Sequence, residues 1–134
     1  MFDTLIIDWG SVRFGMAFGS TTTELVIPTQ KTCLTQDIWK ILSDEITNRK
    51  IKQILVGIPM TFDFKPTIVS NQIQNFTTNL QKSFPEIKIT EINERHSTKN
   101  ALTKNPNLTK SSLNHQSACE IFNYYISTGD TKPI

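Results

Sequence analysis

Two acidic residues, Asp8 and Glu94, stand at the ends of apolar runs that are typical of β-strands. Two carboxylates at strand ends, with a third ligand, can bind divalent cations that activate a water and stabilise the leaving oxygen in phosphodiester cleavage. Taken alone, Asp8-Trp9-Gly10 favours an ordinary hairpin turn whose aspartate bonds turn amides. Because Glu94 places a second carboxylate at a strand end, metal-assisted phosphodiester cleavage becomes a hypothesis worth testing.

The hairpin that would position Asp8 is predicted from short-range patterns. The run Thr4 to Ile7 is short and β-branched, which favours a strand, and Gly10 permits a tight turn. A second strand follows, because bulky and small residues alternate over residues 14–19. Its small face would let a helix or a substrate backbone approach closely.

The remaining elements follow from hydrophobic periodicity and from glycine and proline boundaries. They are a strand at Thr22 to Ile27, a helix that begins at Thr35 to Asp37 and ends at Asn48 to Lys50, a central strand at Gln53 to Pro59, a helix that begins at Pro66 and stops before Pro85, a strand at Glu86 to Ile92, a short helical stretch at Thr98 to Lys104 and a helix at Ser111 to Ile126. Right-handed crossovers place the fourth and fifth strands beside the first. This order predicts an α/β fold with a five-stranded mixed sheet, three antiparallel strands and then two parallel ones, flanked by helices.

Length and composition narrow the class of protein. The 134 residues suit one domain, residues 1–134, in which residues 128–134 are expected to be a flexible tail. The net charge is +2, and no apolar run approaches the roughly 20 residues that span a bilayer, so we expect a cytoplasmic protein with no membrane partner. Cys33 and Cys119 lack the spacing of a zinc site and are expected to be reduced thiols, Cys119 in a helix core.

Candidate substrate contacts fall into two groups. Residues 95–119 contain no Asp or Glu, and their cations are Arg95, Lys99, Lys104 and Lys110. This basic stretch is interpreted equally well as a phosphate-contacting surface or as a solvated face. Thr61 and Asp63 follow the central strand, at the end where open α/β sheets place ligands, although a plain polar loop is the alternative there.

Three sequence blocks, and a weaker fourth, resemble those of one known family. They are Ile6 to Gly10 with Arg13 to Ala17, Ile54 to Met60, Ile92 to Thr98 and, in weakened form, Leu113 to Ala118. The whole chain is similar to the YqgF/RuvX family of ribonuclease H-like pre-16S rRNA nucleases and Holliday junction resolvase homologues. The resemblance implies an endonuclease dependent on Mg²⁺ or Mn²⁺. It would process the 5′ end of pre-16S rRNA in ribosome biogenesis or cleave Holliday-junction-type DNA, as a monomer or a homodimer.

The resemblance also implies roles for particular residues. Asp8 and Glu94 match two catalytic metal ligands, and Arg13 matches a basic position that would contact phosphate. The family's third acid falls on Asn114, and the aspartate usual before the matched glutamate is replaced by Asn93. An amide oxygen can ligate Mg²⁺ but brings no negative charge, so weaker metal binding and slower cleavage, or none, are expected.

His115, beside Asn114, is an auxiliary candidate, either as a substitute ligand or as a general acid or base. Neighbouring helix positions point about 100° apart, so His115 and Asn114 are not expected to aim at one point. A solvent-facing histidine is therefore the favoured interpretation.

Two other classes of function stay open. One is a catalytically weakened or inactive protein of the same fold that binds nucleic acid or a ribosome-assembly partner. The other is a fragment of a nucleotide phosphotransferase, because Asp-x-Gly in a first hairpin also resembles the phosphate-binding hairpin of the actin and sugar-kinase superfamily. Those enzymes need two such domains, and this chain has the length of one.

Overall fold

The computed structural model describes residues 2–10, 12–29, 33–59, 68–94, 110–128 and 132–133. Within these ranges the strands are β1 (Thr4–Asp8), β2 (Gly15–Gly19), β3 (Val26–Pro28), β4 (Gln53–Pro59), β5 (Lys88–Glu94) and β6 (Lys132–Pro133). The α-helices there are α1 (Ile38–Arg49), which continues from a 3₁₀ turn at Thr35–Asp37, α2 (Ile68–Ser83) and α3 (Lys110–Thr128).

These strands form one mixed sheet in the order β3-β2-β1-β4-β5-β6. β2 pairs antiparallel with both β1 and β3, whereas β4 runs parallel to β1 and β5 runs parallel to β4. The predicted α/β fold, with three antiparallel strands followed by two parallel ones, is confirmed. The carboxyl ends of β1, β4 and β5 consequently lie side by side at one end of the sheet, which is called the carboxyl edge below.

The sixth strand, β6, is an addition to the five predicted strands. Lys132 and Pro133 pair antiparallel with Glu91 and Thr90 of β5. Without this pairing the outer edge of β5 would present unpaired backbone groups at these positions, and a returning segment satisfies them. Two residues are too few to show the alternation by which a strand is recognised in a sequence, and proline is confined to edges of this kind.

Apolar side chains of the two central strands divide between two cores, one on each face of the sheet. Leu5 and Ile7 of β1 pack with residues of α1 and α2 in the first core. Ile6 of β1 and Leu55 of β4 pack with residues of α3 in the second. All four side chains are fully buried, so both faces of the central strands are covered.

The small face of β2 receives α3, as the alternation of its residues predicts for an approaching helix. Ala17 lies in the same buried cluster as Ala118 of α3. A Cβ atom added to Gly19 would lie 2.5 Å from Cε1 of Phe122. Phe122 is fully buried, so its ring occupies the space that glycine leaves open.

The start of β3 differs from the prediction because a backbone turn displaces it. The amide of Glu24 donates to the carbonyl oxygen of Ser20 at 2.7 Å, and Glu24 has a φ of 60°. The strand therefore begins at Val26 rather than at Thr22. A threonine-rich stretch favours strands by propensity, and the hydrogen bonds of the turn outweigh that preference here.

The start of β5 also lies two residues later than predicted. The amide of Ile87 donates to the carbonyl oxygen of Phe84 at 3.1 Å, which closes a turn after α2. The strand begins at Lys88 rather than at Glu86, and it extends as far as Glu94.

The long helices agree with the prediction within the described residues. α1 ends where Lys50 adopts the left-handed conformation with φ of 53°. Pro66 and the predicted short helix at Thr98 to Lys104 lie outside the described residues. None of the helices in the described ranges combines the length and the apolarity that crossing a bilayer requires.

Candidate active site

Asp8 is the last residue of β1 and lies at the carboxyl edge of the sheet. Its neighbours in the sheet are both glycines, Gly15 of β2 and Gly57 of β4. Strand alternation places Asp8 on the same face as Ile6, which packs in the core beneath α3. Because neither neighbouring residue has a side chain, neither can cover the half-buried carboxylate on that face.

The turn that follows Asp8 is held by the segment before α1. The carbonyl oxygen of Gly10 accepts a hydrogen bond from Thr35 Oγ1 at 2.6 Å, and that of Val12 accepts one from the amide of Thr35 at 2.9 Å. Any Cβ at Gly10 would collide with the carbonyl oxygen of Arg13. The turn is therefore compact, and it presents Arg13 as an exposed side chain near the edge where Asp8 lies.

Glu94 is the last residue of β5, at the same edge of the sheet as Asp8. The register pairs Asp8 with Gly57 of β4 and Gly57 with Ile92 of β5, and it pairs Glu94 with Pro59. Glu94 thus lies one strand beyond β4 and two residues past the level of Asp8. Ile92 packs in the core beneath α3, and Glu94 is the next position of that alternation.

His115 of α3 is buried, with only 6% of its surface exposed. Its Nδ1 accepts a hydrogen bond from the amide of Met16 at 3.0 Å. Met16 follows Gly15, which is the partner of Asp8 in β2. The expectation of a solvent-facing histidine is wrong.

A sequence signal for this burial does exist. His115 stands three residues before Ala118 and seven before Phe122, which is the spacing of one face of a helix. Both of those residues are fully buried against the sheet. The periodicity of α3 therefore predicts a buried residue 115, and the polarity of histidine concealed it.

Several candidates from the sequence fall outside the described part of the chain. Thr61, Asp63, Arg95, Lys99 and Lys104 lie outside the described residues. Lys110 and Asn114 are the first and fifth residues of α3, and their side chains, like that of Glu94, are not among those described. The structure thus brings together the backbone positions of Asp8 and Glu94 and adds His115 beside β2.

Cys119 lies in the core beneath α3, as predicted, and burial, with Glu120 nearby, raises the pKa of its thiol to about 11.

The chemistry of the candidate donors suits a hard cation. Among the described residues no three His, Cys, Asp or Glu side chains are placed to hold a metal ion. The glycine-flanked carboxylate of Asp8, joined by oxygen atoms of Glu94 and Asn114, would fit Mg²⁺ or Mn²⁺.

Comparison with solved structures supports the fold. The chain superposes on Thermus thermophilus RuvC in complex with a Holliday junction substrate with a TM-score of 0.60, covering 98% of both chains at 9% sequence identity. A second Thermus thermophilus RuvC structure gives a TM-score of 0.57. These likenesses confirm the ribonuclease H-like arrangement of sheet and helices.

Sequence comparison identifies the family. A protein of Christiangramia forsetii named "Putative pre-16S rRNA nuclease" is 31% identical over 98 residues, which cover 73% of this chain and 72% of that protein. One of the same name from Flavobacterium johnsoniae is 25% identical over 132 residues, which cover 92% and 95%. The model of the RuvX family, described as Holliday junction resolvase, matches residues 3–128. With nearly its whole length matched, this chain belongs to the RuvX family.

Proposed function

We propose that this protein is a divalent-metal-dependent endonuclease that processes the 5′ end of pre-16S rRNA, or cleaves Holliday-junction-type DNA. The observation that carries the proposal is the placement of Asp8 and Glu94 at one edge of the sheet, in register positions of one face. The substrate class comes from the names of the relatives. When bound, the metal activates a water and stabilises the leaving oxygen of the phosphodiester.

The separation of the two acids lets both side chains reach a metal site between them. β4 lies between β1 and β5, and Glu94 stands two residues past the level of Asp8. Ordinary strand spacing and rise place the two Cα atoms about 12 Å apart. Extended aspartate and glutamate side chains with one ion between them also span about 12 Å, so the site can hold either one ion or two ions about 4 Å apart.

The other candidate residues take supporting roles in this proposal. Asn114 supplies a neutral third ligand from α3, and Arg13, exposed on the hairpin turn, contacts a phosphate. The remaining candidates contact the nucleic-acid backbone or the substrate: Arg95, Lys99, Lys104, Lys110, Thr61 and Asp63. Backbone contacts read the shape of the nucleic acid rather than its sequence, which fits a structured RNA or a branched DNA.

The second candidate function is a catalytically weakened or inactive nuclease-fold protein that binds nucleic acid or a ribosome-assembly partner. Asn114 and Asn93 favour it, since each replaces an acid of the family pattern. With Asp8 and Glu94 alone, two formal negative charges would face up to two divalent cations. Binding would then persist without cleavage.

We infer that the protein acts in the cytoplasm. As a processor of RNA ends it would act as a monomer, since one site suffices for one strand. As a junction resolvase it would act as a symmetric homodimer, because a four-way junction presents two equivalent strands for cleavage.

Metal-dependent cleavage of labelled pre-16S rRNA and of four-way DNA junctions tests the proposal. The proteins compared in Mg²⁺ and in Mn²⁺ are the wild type, Asp8→Asn and Asn114→Asp. Asp8→Asn is expected to reduce cleavage by more than about 100-fold, since even residues that only support metal ligands cost 10–100-fold. Asn114→Asp is expected to tighten metal binding roughly tenfold, because it adds a negative charge beside the ions.

Asp44→Asn is the matched control, because Asp44 is an exposed carboxylate of α1. This variant is expected to cleave like the wild type. Circular dichroism shows whether each variant keeps its fold. Wild-type cleavage by a folded Asp8→Asn variant would contradict the assignment of Asp8. Nucleic-acid binding without cleavage by the wild type would favour the second candidate function.

A further inference from the structure

A buried hydrogen bond between His115 and the backbone of Met16 connects α3 to β2. The amide of Met16 donates to Nδ1 of His115 at 3.0 Å, joining residues 99 positions apart in the chain. Both residues are buried. Beyond the last pair of β3, Pro28 with Ala17, the amide of Thr29 still donates to the carbonyl oxygen of Met16 at 3.0 Å, whereas the Met16 amide takes the imidazole as its acceptor.

This contact determines which nitrogen of His115 carries the proton. A neutral imidazole has one N–H group, and an Nδ1 that accepts a hydrogen bond leaves that proton on Nε2. Nε2 is itself buried. In this tautomer the lone pair of Nδ1 is directed at the amide of Met16, and Nε2 has no lone pair to offer to a metal ion.

We infer that His115 is a positioning residue that anchors the start of α3 to β2, and not a substitute for the missing third acidic ligand. Met16 follows Gly15, the sheet partner of Asp8, while His115 follows Asn114 in α3. The hydrogen bond therefore sets where Asn114 stands relative to Asp8.

The anchoring does not depend on what the protein cleaves, whereas its consequence for metal binding rests on the proposed function. Ala118 and Phe122 fix the middle of α3 by apolar packing. That packing positions the middle of the helix, whereas His115 lies seven residues before Phe122, about two turns nearer the start of α3. A hydrogen bond to one backbone amide is directional and selects one register.

Substituting His115 with asparagine or with glutamine distinguishes the role of Nδ1 from that of Nε2. In His115→Asn the amide oxygen can occupy the position of Nδ1, whereas in His115→Gln the amide group reaches the position of Nε2. Hydrogen exchange of the Met16 amide, followed by NMR, reports the contact directly. Exchange is expected to stay slow in His115→Asn and to accelerate at least about fivefold in His115→Gln, the factor that corresponds to one ordinary hydrogen bond.

Titration with Mn²⁺ supplies the second readout. His115→Gln is expected to weaken Mn²⁺ binding more than His115→Asn does, so that affinity follows the protection of the Met16 amide. Asn123→Ala, an exposed change on the same helix, is the matched control and is expected to alter neither readout. If His115→Asn lost Mn²⁺ binding while the Met16 amide stayed protected, His115 would be a ligand and the inference would be overturned.

Failure of the proposed function would look different. A wild-type protein that neither binds Mn²⁺ nor cleaves would refute the nuclease proposal, while the exchange of the Met16 amide would still respond to residue 115. A Met16 amide that exchanged equally in His115→Asn, His115→Gln and the wild type would overturn the anchoring role.

Discussion

The buried hydroxyl groups of Thr77 and Thr90 differ in their hydrogen bonding. Thr77 of α2 donates to the carbonyl oxygen of Gln74 at 3.0 Å. Thr90 Oγ1, on β5, has no hydrogen-bond partner in the described structure. Both residues are almost fully buried. A buried polar atom without a partner loses its hydrogen bond to water on folding and gains nothing in return.

Thr90→Val is expected to raise the free energy of unfolding by about 1 kcal/mol, because valine keeps the shape and removes the unsatisfied hydroxyl. Thr77→Val is the matched comparison and is expected to lower that free energy by about 1 kcal/mol, since it removes a satisfied donor. Urea unfolding followed by circular dichroism measures both changes. A loss of stability in Thr90→Val equal to that in Thr77→Val would contradict the prediction.

Asp3 connects the start of β1 to the turn after β2. Its carboxylate accepts hydrogen bonds from Thr21 Oγ1 at 2.8 Å, from the Thr21 amide at 3.2 Å and from Thr4 Oγ1 at 3.0 Å. Partial burial by itself would raise the pKa of Asp3, but the hydrogen bonds of Thr21 and Thr4 together outweigh it and hold the pKa below 3.8.

The pH dependence of stability should reveal this carboxylate. A group whose pKa is lower in the folded state stabilises the fold above its unfolded pKa, and the contribution is lost as the pH falls through the folded value. The wild type is therefore expected to exceed Asp3→Asn in free energy of unfolding at neutral pH, with the difference shrinking below about pH 4. Urea unfolding between pH 7 and pH 3 measures it, and a difference independent of pH would refute the linkage.

At the scale of the secondary-structure elements, the contact of α3 with β2 depends on residue size at Gly19. The ring of Phe122 would lie 2.5 to 2.9 Å from a Cβ at position 19. Gly19→Ala is therefore expected to lower the free energy of unfolding by about 1–3 kcal/mol, the usual cost of overfilling a packed interior. Thermal and urea unfolding measure the loss.

A double-mutant cycle shows whether the ring is the cause. Phe122→Leu removes the atoms that the new methyl group would meet, so the cost of Gly19→Ala is expected to be smaller in that background. Additive effects of the two substitutions would show that the loss in Gly19→Ala arises elsewhere in β2.

For the molecule as a whole, the two thiols report whether both faces of the sheet unfold together. Cys33 is buried in the core on the side of α1 and α2, and Cys119 in the core beneath α3. Burial raises the pKa of Cys119 to about 11, so near pH 8 this thiol is neutral as well as covered.

Both cysteines are expected to react with iodoacetamide at the same urea concentration, the one at which the sheet unfolds. Mass spectrometry of the alkylated peptides across a urea series measures each site separately. Labelling of Cys119 well before Cys33 would instead mean that α3 separates from the sheet in a local opening.

Much of the fold is predictable from the sequence because the signals are local. The apolar runs of β1 and β4, the periodicity of α1 and α2 and the order of elements lie within short segments, and each was located to within a few residues. The positions of Asp8 and Glu94 at strand ends follow from the same signals. The starts of β3 and β5 were not predicted correctly, because turn hydrogen bonds compete with strand propensity there.

The sequence by itself determined the order of strands and helices, the two acids at the ends of strands, and the family to which the chain belongs. Only the tertiary structure decided that Nδ1 of His115 accepts a hydrogen bond from the amide of Met16, that Phe122 fills the space at Gly19, and that β6 pairs with the edge of β5. Each of these contacts joins segments far apart in the chain. Their partners are chosen by the shape and the unsatisfied backbone groups of the assembled sheet, and no local pattern encodes that choice.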